Sequence, residues 1–211
     1  MFGLGIHTSS PQLGLMLQGV DPSGKLVSRH QVWDLGRAVS SQLHVKMMAF
    51  IEPYRWQDLS FVAVAKGPGG FTGTRVGVVA ARTLAQQLAV PLFGISALAA
   101  MAAIAERKPG QDIAVTMPAK RGAIFGGIYR WTGADDLTAV RADEVVPAAT
   151  WDEIVANWLV TTVPVSTDFA ANTAESVRGV MALAQARWAL GERPEWSSVM
   201  PFYGQHPVDP R

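Results

Sequence analysis

The chain has 211 residues, 49% of them hydrophobic and 17% charged, which supports a buried core and excludes the low-hydrophobicity, high-charge composition of a disordered chain. Eighteen Lys and Arg against 17 Asp and Glu leave a net charge of +1, without the basic excess by which a primary nucleic-acid binder neutralises phosphates. The absence of cysteine excludes disulfides, thiolate nucleophiles and Cys-based zinc sites.

At about 150 residues per domain the length allows one large domain or two small halves. The start has no basic n-region and turns polar after Ile6, unlike a signal peptide, so a cytoplasmic protein is expected. Phe2 to His7, Leu13 to Gly19 and Lys25 to Trp33 are apolar-patterned runs joined by the turns Thr8-Ser9-Ser10-Pro11 and Asp21-Pro22-Ser23-Gly24, which predicts a three-stranded antiparallel meander. Ser40 or Ser41 then caps a helix carrying Leu43, Met47, Phe50 and Ile51 on one stripe and ending at Pro53. The run Leu59 to Ala65, with β-branched Val62 and Val64, suits a strand buried on both faces.

Gly67-Pro68-Gly69-Gly70 leads into a helix from about Thr72, its expected N-cap, to Leu88. Leu88 to Ala105 is charge-free and mostly apolar, but Pro91 and Gly94 divide it into a short strand ending at Ile95 and a helix from Ala97 to Arg107 capped by Ser96. Further on, Asp112 to Met117, Ala123 to Trp131, Leu137 to Val146 and Val160 to Val165 read as strands. Thr150 reads as the cap of a helix through Trp158, with Trp151 and Trp158 on one face, and Asn172 to Leu190 as a long amphipathic helix. The order is that of an α/β protein with mixed sheets, and a boundary near Lys108-Pro109-Gly110 divides it into halves at 1–107 and 108–211, the second ending in an irregular, proline-rich tail.

Much known catalytic chemistry is missing. Residues 67–75 contain no Gly-Lys-Ser/Thr for a phosphate cradle with a reaching lysine, and no third glycine for G-x-G-x-x-G. The segment Gly94-Ile95-Ser96-Ala97-Leu98 lacks the closing glycine of a nucleophile elbow. His7, His30, His44 and His206 are scattered with no metal-ligand spacing. No catalytic residue, metal site or cofactor is expected. Two loops could hold an anion: the hydroxyl-rich turn Thr8, Ser9, Ser10, and the strand-to-helix loop Gly67, Gly69, Gly70 that points amides at a helix N-terminus. Either also reads as an ordinary tight turn. Gly73, Gly77, Ala81 and Ala85 recur every four residues, a ridge of small side chains suited to close approach of another helix. With the apolar helix of Leu43, Met47, Phe50 and Ile51 it forms a candidate partner interface; a bulky residue at Gly77 is expected to block a partner while sparing the fold.

The run Gly67-Pro68-Gly69-Gly70-Phe71-Thr72-Gly73-Thr74-Arg75-Val76-Gly77, followed by an Ala-rich helix and Val90-Pro91-Leu92-Phe93-Gly94-Ile95-Ser96, resembles the GPGSFTGxRxG signature of the TsaB (YeaZ-type) family, with Leu43-His44 at the matching place upstream. The resemblance covers Met1 to about Arg107 well, the hairpin near Ala119 to Tyr129 moderately and the rest weakly. It implies an actin-like, sugar-kinase-like (ASKHA) fold of two related halves. It also implies a non-catalytic partner and activator of a TsaD-type catalytic subunit, which forms threonylcarbamoyladenosine beside the anticodon of tRNA. By the same resemblance a TsaE-type ATPase is expected to join the larger complex, the chain alone to form a homodimer, and tRNA to be met only through the complex. The family's Asp at the end of the first strand is replaced by His7, and another before the second-half turn Ala119-Lys120-Arg121-Gly122 by Pro118. Neither replacement supplies a hard oxygen ligand for Mg²⁺, which weakens the alternative of a small-molecule kinase or ATPase of the actin-like superfamily.

Overall fold

The computed structural model describes residues 1–106, 110–133, 135–166 and 173–202. In the first half, β1 (Phe2–His7), β2 (Gln12–Val20) and β3 (Leu26–Asp34) form the antiparallel meander. α1 (Val39–Ile51), β4 (Leu59–Ala65), α2 (Phe71–Leu88) and β5 (Leu92–Ile95) follow. The sheet order is β3-β2-β1-β4-β5, with β4 and β5 parallel to β1. All six residues of β1 are buried, because helices cover both faces of this sheet. Phe2, Leu4 and Ile6 join Val62 and Val64 under α1 and α2. Phe61, Ala63 and Ala65 point the other way, against α5 (Val177–Ala189), which brings the end of the chain back across the first sheet.

α3 (Ala97–Ile104) leads into a second sheet of β6 (Asp112–Pro118), β7 (Ala123–Trp131), β8 (Leu137–Pro147) and β9 (Thr162–Ser166), with α4 (Ala148–Ala156) between the last two. Its order, β8-β7-β6-β9, repeats the β3-β2-β1-β4 arrangement: two antiparallel hairpin pairs and one parallel neighbour. Leu98 and Met101 of α3 pack on Ile113, Val115 and Phe125, and Trp151 of α4 fills the opposite face beside Ile128 and Val146. α3 and α5 approach closely at Gly179, where a Cβ would lie 2.0 Å from the Ala100 carbonyl oxygen.

Helix starts differ from the sequence reading. α1 begins at Val39 after a 3-10 turn, and the Ser41 hydroxyl donates back to the Ala38 carbonyl at 3.1 Å instead of capping. α2 begins at Phe71 with Gly70 as its cap residue, so Thr72 lies inside the helix: the Gly70 carbonyl itself accepts from Thr74 N–H at 2.9 Å. Pro147 rather than Thr150 precedes α4, and Trp158 lies beyond its end but still packs against the cluster that holds Trp151. Ser96 caps α3 as expected, accepting from the N–H groups of Leu98 and Ala99. Residues 107–109, where the division into halves was placed, lie outside the described residues, as do Asn172 and His206. Among the described residues no helix is long and apolar enough to cross a membrane.

Candidate functional site

Because β1 and β4 run parallel as neighbours, their C-terminal ends lie side by side, and the two loops singled out in the sequence emerge together. They pack on one another. The Gly70 N–H donates to the Ser9 carbonyl at 2.7 Å, and the Thr8 hydroxyl donates to the Gly73 carbonyl at 2.8 Å. Ser10 Oγ accepts from the Gln12 N–H at 3.3 Å. Thr8, Ser9 and Ser10 are buried, and their polar groups face the chain's own backbone. A Cβ on Gly69 would sit 2.2 Å from the Ser9 carbonyl oxygen, closer than any side chain tolerates. Gly67 has φ +99° and a Cβ there would meet the Phe202 carbonyl oxygen at 2.4 Å, so glycine is required twice over. Phe202 is drawn in by its N–H, which donates to the Lys66 carbonyl at 2.7 Å.

The ridge on α2 serves the same contact. A Cβ on Gly73 would lie 2.2 Å from Thr8 O, and one on Gly77 2.0 Å from Thr8 Oγ1. What approaches these glycines is therefore the loop after β1, not a second helix. Ala81 and Ala85 are fully buried in the first-half core with Leu43, Met47, Phe50 and Ile51. These six residues were expected to face a partner, but the stripe they form lies against the chain's own sheet. The outward side of the helix pair is made by other residues: Val45 is 57% exposed, Met48 64% and Val79 55%.

His7, at the end of β1, is fully buried, and among the described residues neither ring nitrogen has a hydrogen-bond partner. Burial pushes its pKa down to about 4, against a smaller upward pull from its own backbone. It is thus neutral at physiological pH. Its strand neighbour Gly14 lies under Ala174, so His7 belongs to the face covered by the approach to α5. Pro118 ends β6 and is exposed. Among the described residues no group of three or more His, Asp or Glu is placed to hold a metal ion.

Two polar networks were not visible in the sequence. Asp143 accepts hydrogen bonds from Ser96 and from Tyr129, joining the cap of α3 to β7 and β8. Burial raises the Asp143 carboxyl, with the two hydrogen bonds and Lys66 pulling it down; burial and Asp143 itself push the Tyr129 phenol up. In the second sheet, Asp112 accepts from Arg130 at 2.7 and 2.8 Å and from the Trp158 indole N–H at 2.8 Å. The Arg130 hydrogen bonds hold this carboxyl below its ordinary range despite burial. Each network joins residues far apart in the chain.

Residues 46–155, just over half the chain, match the family described as TsaD, tRNA N6-adenosine threonylcarbamoyltransferase. Relatives by sequence carry the name tRNA threonylcarbamoyladenosine biosynthesis protein TsaB. The Bacillus subtilis protein is 39% identical over 99 residues (47% of this chain, 42% of that one). The Escherichia coli protein is 33% identical over 96 residues (42% and 41%). The chain belongs to this family, and within it is similar in sequence to the TsaB proteins. The matched stretch spans less than half the length of these curated relatives.

Similarity of fold extends over nearly the whole chain. YeaZ from Pseudomonas aeruginosa superposes with a TM-score of 0.72 at 22% identity, covering 96% of this chain and all of that one. A Pseudomonas aeruginosa crystal structure described as similar to peptidase YeaZ gives 0.73 at 22% identity, with 97% and 99% covered. The architecture is accordingly the actin-like, ASKHA-type one: two related halves, each with a mixed sheet flanked by helices.

Proposed function

We propose that the chain is a non-catalytic partner and activator of a TsaD-type subunit in forming threonylcarbamoyladenosine next to the anticodon of tRNA. The names of its relatives support the pathway. The packing of the two loops supports the non-catalytic reading, because the turn after β1 and the loop after β4 are the two whose hydroxyls and amides could hold an anion. Here those groups grip each other, through Thr8 to Gly73 and Ser9 to Gly70. His7 and Pro118 offer no carboxylate for a hydrated Mg²⁺.

Docking falls to the outward side of α1 and α2, where Val45, Met48 and Val79 expose apolar surface above a rigid, fully packed base. A TsaE-type ATPase would join the resulting pair, tRNA would be met only in the complex, and without its partner the same surface would pair two copies of the chain. Such work belongs in the cytoplasm. Light scattering of the chain mixed with the TsaD-type subunit of the same source tests the proposal. A discrete heteromer is expected; two unaltered masses at micromolar concentration would contradict it.

A further inference from the structure

A cavity of about 330 Å³ lies away from the α1–α2 surface, between the ends of β4 and β5, the β7–β8 turn and the C-terminal part of α5. Its size is at the lower end of the range of small-molecule sites. Both halves of the molecule contribute walls: Ile95 and Ala99 from one side, Leu137 from the second sheet, Leu183 and Leu190 from α5.

Five charged side chains line it, and three are accounted for. Arg187 makes two hydrogen bonds to Glu192, at 2.8 and 2.7 Å. Asp136 accepts from the Thr132 hydroxyl. Lys66 and Asp135 remain, and among the described residues neither side chain has an ion pair or hydrogen bond. Lys66 is well placed by its backbone: its N–H donates to the Ile95 carbonyl at 2.8 Å and its carbonyl accepts from Phe202. Its stem passes over Gly94, with Cδ 3.4 Å from where a Cβ would be. Asp143, hydrogen-bonded by Ser96 and Tyr129, interacts with Lys66 through space but forms no ion pair with it.

A cation from the first half and an anion from the second thus line one cavity with aliphatic surface between them. We propose that this cavity binds an amphoteric small molecule of dipeptide size, its carboxylate on Lys66, its amine on Asp135 and an aliphatic side chain on Leu137, Leu183 and Leu190. An anion alone would meet the carboxylates of the β7–β8 turn, and a cation alone would meet Lys66; a ligand with both charges avoids each repulsion. The site is independent of the partner role, since it is tested on the isolated full chain.

Calorimetric titration with glycyl-leucine is the test. A Kd near or below about 1 mM is expected for a ligand of this size. Glycyl-leucinamide, which lacks the carboxylate, and N-acetyl-glycyl-leucine, which lacks the amine, should each bind about tenfold more weakly to the unaltered protein. Lys66→Met should bind glycyl-leucine and its amide alike, and Asp135→Asn should no longer distinguish the free from the acetylated dipeptide. Because the ligand changes are read on the unaltered chain, a poorly folding variant does not spoil the test. Absence of glycyl-leucine binding at about 10 mM, or equal affinity for all three compounds, would overturn the proposal.

Discussion

Thr8 and Gly77 are in contact where no side chain on the helix could fit: the threonine hydroxyl oxygen lies 2.0 Å from the position of a Cβ on Gly77. The same hydroxyl donates to Gly73 one turn earlier at 2.8 Å, so the loop after β1 is fastened along the first two turns of α2. The spacing of small residues in α2 is thus explained within the chain. Gly77→Leu should lower the unfolding free energy by about 2–4 kcal/mol or prevent folding, because the leucine must displace a buried loop held by backbone hydrogen bonds. Urea denaturation measures it. A Gly77→Leu protein with unaltered stability would mean that the loop yields freely and that a partner helix is the better explanation of the ridge.

The outward residues of the pair should behave in the opposite way. Met48→Glu and Val79→Glu place a charge on exposed positions, so each should change stability by no more than about 0.5 kcal/mol. Affinity for the TsaD-type subunit should drop at least about tenfold, since a charge at the centre of an apolar contact must be desolvated. Titration of both variants by calorimetry, beside their melting temperatures, separates the effects; full affinity in both would move the docking surface elsewhere.

Arg130 is partly exposed while its partner Asp112 is buried, 43% against 1% by side chain. Arg130→Met leaves that carboxylate, among the described residues, with the Trp158 indole alone as hydrogen-bond donor and should lower the melting temperature. The depressed Asp112 carboxyl stabilises the fold above its ordinary pKa, and that contribution is lost as pH falls through the folded value. Thermal melts should therefore separate the two proteins at neutral pH and bring them together in strong acid. A constant gap across that range would show that the ion pair is not the source.

His7 makes stability depend on pH in a higher window. Its folded pKa, about 4, lies below the ordinary 6.5, so the unfolded chain takes up the proton first. Stability then falls as pH drops from about 6.5 towards 4, by up to about 3 kcal/mol in all. Asp143, raised by burial, acts the other way, its effect falling away as the pH drops below the range in which it titrates. His7→Leu should remove the loss between pH 6.5 and 4 seen in urea denaturation; an unchanged profile would mean that another group titrates there.

What the sequence made legible follows from which forces are local. β1 and β4 were read to the residue because a strand covered on both faces is an unbroken apolar run bounded by polar turns. The cap at Ser96 was equally plain, since its hydroxyl acts two and three residues ahead. At Thr72 and Thr150 the same reasoning failed because a glycine loop or a proline set the helix start instead. The two anion-type loops were found correctly as loops, but only the parallel pairing of β1 with β4 brings them together, and that pairing is a tertiary fact. Ser96 and Asp143 are 47 positions apart, and no spacing rule reaches that far.

Reconstitution examines most directly whether the chain acts through a partner. Threonylcarbamoyladenosine should be measured in tRNA incubated with the TsaD-type subunit and its other components, with the chain present, absent, or replaced by Met48→Glu. The modified nucleoside should form at least about tenfold faster with the unaltered chain, a difference of about 1.4 kcal/mol in the barrier, and Met48→Glu should fall towards the rate without it. Equal rates with and without the chain would contradict the partner role.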